Sequence, residues 1–114
     1  MNKILKSILV SIIILSIFLN PALSFTNEQD YVITLKDHVF TPAELIVPAN
    51  KKIKLVVENQ DPTPEEFESF DLNREKIVSG NGKIMVFLGP LKPGRYKYFG
   101  EFHQDTAQGV IVAR

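Results

Sequence analysis

Between Tyr31 and Val112 the apolar residues recur in short runs of period two, and no long run keeps the 3.6-residue period of a helix. Tyr31, Ile33 and Leu35 alternate with Val32, Thr34 and Lys36, which gives a strand with one face turned inward. Ile53, Leu55 and Val57 repeat the pattern against Lys54, Val56 and Glu58, and Ile84, Val86 and Leu88 repeat it again. Arg95-Tyr96-Lys97-Tyr98 alternates polar with aromatic, while Leu45-Ile46-Val47 and Val110-Ile111-Val112 are short apolar runs. Turn chemistry separates these segments: Asp37-His38, Pro48 to Lys51, the diproline stretch Asn59 to Pro64, Ser79 to Gly82, and Pro93-Gly94. Glu75 to Val78 reads as a weak strand, and Glu65 to Glu75, acidic with Phe67, Phe70 and Leu72, as a short strand or a turn of helix. About seven short strands at regular spacing, without an internal repeat, predict an all-β chain folded as an antiparallel β-sandwich.

The first segment stands apart from that pattern. Lys3 and Lys6 precede a nearly unbroken Ile, Leu, Val and Phe run from Ile8 to Leu19, followed by Asn20-Pro21 and the small-residue pattern Ala22-Leu23-Ser24. This is the layout of a secretory signal peptide over residues 1–24, with a domain over residues 25–114. The run is shorter than the roughly 20 residues of a membrane-spanning helix, so export to the periplasm without a lasting anchor is the expectation, and an uncleaved anchor the alternative. Loss of Lys3 and Lys6 takes the basic residues from 13 to 11 against 13 acidic ones. A net charge of about −2 argues against nucleic acid or an anionic membrane surface as partner.

Cysteine is absent. An exported domain of this size therefore has no disulfide framework, no acceptor for a lipoprotein anchor and no thiolate for a metal. It must fold on its apolar core alone.

Several motifs fall in a telling order: Phe40-x-Pro42, Leu45-x-Val47-Pro48, Asn59, Pro64-Glu65-Glu66-Phe67, Pro93-Gly94-x-Tyr96-x-Tyr98, and His103 followed by Gly109. Together they resemble cupredoxins, whose metal-binding end is a turn, an aromatic strand, a histidine loop and a closing strand. With Glu66-Phe67-Glu68-Ser69, Leu72-Asn73-x-Glu75-Lys76 and Phe102-His103, the set looks most like the cupredoxin-like domains of EfeO-type iron-uptake proteins. The resemblance implies a Greek-key cupredoxin-like sandwich with a role in iron uptake. It implies binding of iron or copper, or help in oxidising ferrous iron, and a membrane iron permease or a periplasmic iron-binding protein as partner.

The departures from the pattern are chemical. A blue-copper site needs a Cys thiolate, two His and a weak axial ligand. Counted along the loop, Gly100 stands at the family's Cys position, Ala107 or Gln108 near its Met, and Glu65 at its first His, leaving His103. The metal candidates that remain are carboxylates with one imidazole. Glu66 and Glu68 share one strand face while Phe67 points to the core, and Glu101, His103 and Asp105 lie on the loop at that end. Such donors suit Fe(II), Fe(III), Mn(II) or Cu(II) better than Cu(I). In the bland reading, Glu66 and Glu68 pair with Arg74 or Lys76 on a solvated face and His103 hydrogen-bonds to backbone. His38, beside Asp37 in a turn, is expected to be exposed and structural, and Tyr96 and Tyr98 to be core aromatics with wet hydroxyls. No phosphate-cradling loop or hydrolase constellation is present. Two functions follow: a metal-binding accessory of iron uptake, or a metal-free sandwich serving as a protein-interaction module. An oxidase acting alone would require a better-equipped copper centre.

Overall fold

The computed structural model describes residues 29–114, so the expected signal peptide over residues 1–24 lies outside the described part. Strands β1 (Asp30–Lys36), β2 (Val39–Thr41), β3 (Glu44–Val47), β4 (Ile53–Asn59), β5 (Glu65–Ser69), β6 (Arg74–Val78), β7 (Lys83–Leu88), β8 (Gly94–Gly100) and β9 (Gln108–Ala113) succeed one another. Among the described residues one 3-10 turn, Glu101–His103, interrupts them. They form two layers, a sheet of order β2-β1-β4-β7 facing one of order β3-β9-β8-β5-β6. The expected sandwich is present. Two of its pairings run parallel, β1 with β4 and β3 with β9, and the others antiparallel. Alternation of side chains is the same in both directions, so the sequence pattern carries no sign of this. The parallel pairs arise because the chain leaves one sheet for the other between β2 and β3 and returns at β4.

The inner faces supply the core: Ile33, Leu35, Phe40, Val47, Leu55, Val57, Phe67, Leu88, Tyr98 and Ile111 are all buried. Each such side chain contributes about 1.5–3 kcal/mol of transfer free energy. β6 is exposed along nearly its whole length and owes its existence to pairing with β5 from Glu65↔Val78 to Ser69↔Arg74. Its cations do not meet Glu66 and Glu68. Lys76 Nζ donates to the Met85 carbonyl at 3.3 Å and Arg74 Nη2 to that of Phe87 at 3.1 Å, which covers the free edge of β7.

Tyr98 departs from its expected wet hydroxyl. Its ring packs on Phe40 and Phe67, each with a centroid 5.2 Å away. It lies across Gly109, its register partner, where a Cβ would fall 2.3 Å from the ring. Glycine makes room for the whole phenol indoors, and the hydroxyl is left without a hydrogen-bond partner. Burial pushes its pKa up. Tyr96 does reach a polar partner, donating to the Lys92 carbonyl at 2.7 Å.

Candidate metal centre

Glu65 opens β5 in the same phase as Phe67 and Ser69, so the period of two turns its carboxylate inward. It is 1% exposed. A carboxylate so deeply buried must have partners, and it has three. Oε1 accepts the backbone N–H of Glu66 at 2.9 Å and of Phe102 at 2.8 Å, and Oε2 lies 2.7 Å from His103 Nδ1. The Phe102 and His103 contacts tie β5 to the 3-10 turn that follows β8. Gly100 precedes that turn, and a Cβ there would sit 2.7 Å from the Glu65 carboxyl carbon and 2.8 Å from Ala107 Cβ. The space that a side chain at position 100 would fill is thus occupied by Glu65. The loop is closed behind His103, whose carbonyl accepts from Ala107 N–H at 2.8 Å, while Gly100 N–H donates to the Ala107 carbonyl at 2.8 Å.

The second imidazole comes from the β1–β2 turn. Asp37 and His38 both adopt left-handed backbone, with φ of 52° and 59°. The His38 ring lies face to face on His103, centroids 3.5 Å apart and planes within 9°. Beneath the turn, buried Asp61 accepts the N–H of Asp37 through Oδ1 at 2.7 Å and that of His38 through Oδ2 at 3.0 Å. Oδ2 also stands 3.4 Å from His38 Nδ1. Burial by itself would raise the Asp61 pKa, but the two backbone hydrogen bonds and the nearby His38 and His103 outweigh it and hold the carboxyl below its ordinary value.

His38, Glu65 and His103 each offer a ligand atom, all within 4.8 Å of one another. The Glu65 carboxylate at Nδ1 fixes the orientation of the His103 ring, and an ion held by both residues would take the place of that hydrogen bond. Lone pairs of two parallel rings do not converge, so joint ligation of one ion by both imidazoles requires one ring to turn out of the stack.

The residues singled out in the sequence divide between two places. His103 joins Glu65 and His38. Glu66 and Glu68 point the other way from β5 and meet Glu75 of β6, directly opposite Glu68, in a second group of close carboxylates. Neighbouring Glu68 raises the Glu66 pKa, with Glu101 adding to the effect, and Glu66 in turn raises that of Glu75. Asp105 is exposed in the turn after His103, and no contact among the described residues ties it to either group. His38, expected to stand apart, is part of the His103 cluster, and Glu65 is its centre. The phase of Phe67 signals Glu65, because an acid two residues away must also face inward. For His38 the only sequence signal is its place in a two-residue turn between strands; its neighbour is set by tertiary packing.

A family model described as the cupredoxin-like domain matches residues 8–113. An uncharacterized protein of Rickettsia prowazekii (strain Madrid E) is 55% identical over 86 residues, 75% of this chain and 69% of that protein. Among solved structures, auracyanin A, a "blue" copper protein of Chloroflexus aurantiacus, superposes with a TM-score of 0.65 at 15% identity. It covers 77% of this chain and 100% of its own. Amicyanin from Paracoccus versutus gives 0.61 at 14% identity over 80% and 96% of the two chains. A purple cupredoxin from Nitrosopumilus maritimus gives 0.58 at 18% identity over 75% and 100%. At these identities the likeness to the solved structures is one of fold.

Proposed function

The chain belongs to the cupredoxin-like domain family, and from that footing we propose that it binds one iron or copper ion at a non-blue site and assists iron uptake. The observation that carries the reading is proximity: His38, Glu65 and His103 come from three separate segments and bring their ligand atoms within 4.8 Å of one another. The residues do not fit a blue-copper centre, because no thiolate exists anywhere in the chain. Two imidazoles and a carboxylate suit Fe(II), Mn(II) and Cu(II), with Cu(II) the tightest by the general order of divalent affinities. Glu66, Glu68 and Glu75, with Glu101 nearby, add negative charge on the outer face of β5 and attract cations to this part of the molecule. The leader pattern supports export to the periplasm. The EfeO-type motifs support delivery to a membrane iron permease or a periplasmic iron-binding protein.

One observation favours a second reading. Glu65 is satisfied by His103 and two backbone N–H groups without any ion, as a metal-free scaffold for a protein partner would require. Calorimetric titration with Cu(II), and with Fe(II) under anaerobic conditions, separates the two. His103→Ala and Glu65→Gln are expected to lose about tenfold or more in affinity, and Glu66→Gln and Glu68→Gln far less. Affinity falls as pH drops, since imidazole and carboxylate must be deprotonated to bind. The copper form shows no intense thiolate charge-transfer band. A parent protein that binds neither ion leaves the scaffold reading standing.

A further inference from the structure

The β1–β2 turn is built against local preference. Two-residue hairpin turns with positive φ at both positions favour Asn-Gly or Asp-Gly, because glycine enters that region freely. Here the second position is His38, a bulky non-glycine residue at φ 59°, directly after Asp37 at φ 52°. Non-glycine residues held in that region are strained and persist only where the surroundings over-determine them. The over-determining group is visible. Asp61, at the start of the β4–β5 loop, places one carboxylate oxygen on each strained N–H, and the second oxygen also faces the His38 ring at 3.4 Å. Asp61 is itself held in place, its N–H donating to Asn59 Oδ1 at 3.0 Å and its carbonyl accepting from Asn81 N–H at 2.8 Å. Asn59 in turn is buried, and its amide nitrogen donates to the Thr63 and Ser79 carbonyls.

We infer that Asp61 is a positioning residue: its carboxylate clamps the Asp37–His38 turn in the left-handed conformation and so holds His38 beside His103, stacked in the metal-free protein and within reach of a shared ion once its ring turns about its own side-chain bonds. The inference deepens the metal-binding reading and rests on it for its consequence, but the clamp itself is measurable without metal. Glycine at position 38 would relieve the backbone and abolish the ligand. The sequence keeps histidine, and Asp61 supplies the restraint that histidine needs.

The test uses Asp61→Asn, which keeps the shape and one acceptor but loses the second. In the metal-free protein, side-chain proton resonances of His38 and His103 report the face-to-face stack through mutual ring-current shifts. Asp61→Asn is expected to abolish those shifts while backbone spectra stay those of the folded sandwich. Cu(II) titration should then show about a tenfold loss of affinity in the His38 protein, and no further loss when His38→Ala is already present. Retained ring-current shifts, or an equal loss with and without His38, overturns the inference. If the parent fails to bind Cu(II), the metal reading falls while the ring-current result still decides the clamp. If Asp61→Asn does not fold, Asp61→Asn with His38→Gly decides instead. Recovery of the fold supports a clamp acting on the strained turn, and continued unfolding shows that Asp61 acts elsewhere.

Discussion

Gly100 is the position where the structure makes its sharpest demand. A methyl group there would stand 2.7 Å from the Glu65 carboxyl carbon and 2.8 Å from both Glu65 Oε2 and Ala107 Cβ. Against an ordinary carbon–carbon separation of about 3.5 Å, the shortfall on the carboxyl carbon is about 0.8 Å. Neither neighbour gives way freely: Ala107 is fully buried, and Glu65 is fixed by three hydrogen bonds. Overpacking of this kind costs about 1–3 kcal/mol, and the upper part of that range applies because yielding also breaks bonds to a buried carboxylate. Gly100→Ala is therefore expected to lose about 2–3 kcal/mol in urea unfolding followed by circular dichroism. At about 4–8 °C per kcal/mol for a domain this small, the melting temperature should fall by about 10–20 °C. The cause is tested by a double-mutant cycle. In a Glu65→Ala background the carboxylate clash is gone and that with Ala107 remains, so the cost of Gly100→Ala should drop by about half, a coupling of about 1 kcal/mol. A single-variant cost below about 0.5 kcal/mol, or one independent of residue 65, refutes the reasoning.

Tyr98→Phe removes a buried hydroxyl that has no partner and should leave stability unchanged or raise it by about 1 kcal/mol; a loss of that size in urea unfolding would reveal a partner for the hydroxyl. The carboxylate group on β5 and β6 gives a pH dependence. Glu66 and Glu75 are raised above their usual values by their neighbours. The fold therefore favours their protonated forms, and stability gained at low pH is lost as pH rises through the raised values. Glu66→Gln should then raise the melting temperature at pH 7 and change it little near pH 4. An equal shift at both would show that charge repulsion is not the cause.

The β-sandwich was legible in the sequence, because alternation of apolar residues and punctuation by Pro, Gly, Asn and Asp are local properties of the chain. So was the exclusion of a blue-copper centre, since no arrangement in space supplies a missing thiolate. The inward course of Phe67 was legible too, and with it, in principle, that of Glu65. Direction of pairing was not: β1 beside β4 and β3 beside β9 in parallel depend on which sheet each strand joins, and side-chain period is blind to that. The division of the acidic residues was likewise settled only in three dimensions. Glu66 and Glu68 share a face by sequence, but that face carries Glu75 rather than His103, because successive side chains of β5 point to opposite sides. His38 joins His103 through contacts with Asp61, 23 residues away, and Glu65 meets His103 across 38. Such long-range meetings are made by tertiary packing, so the chain's local chemistry names the donors and only the fold decides which of them share a centre.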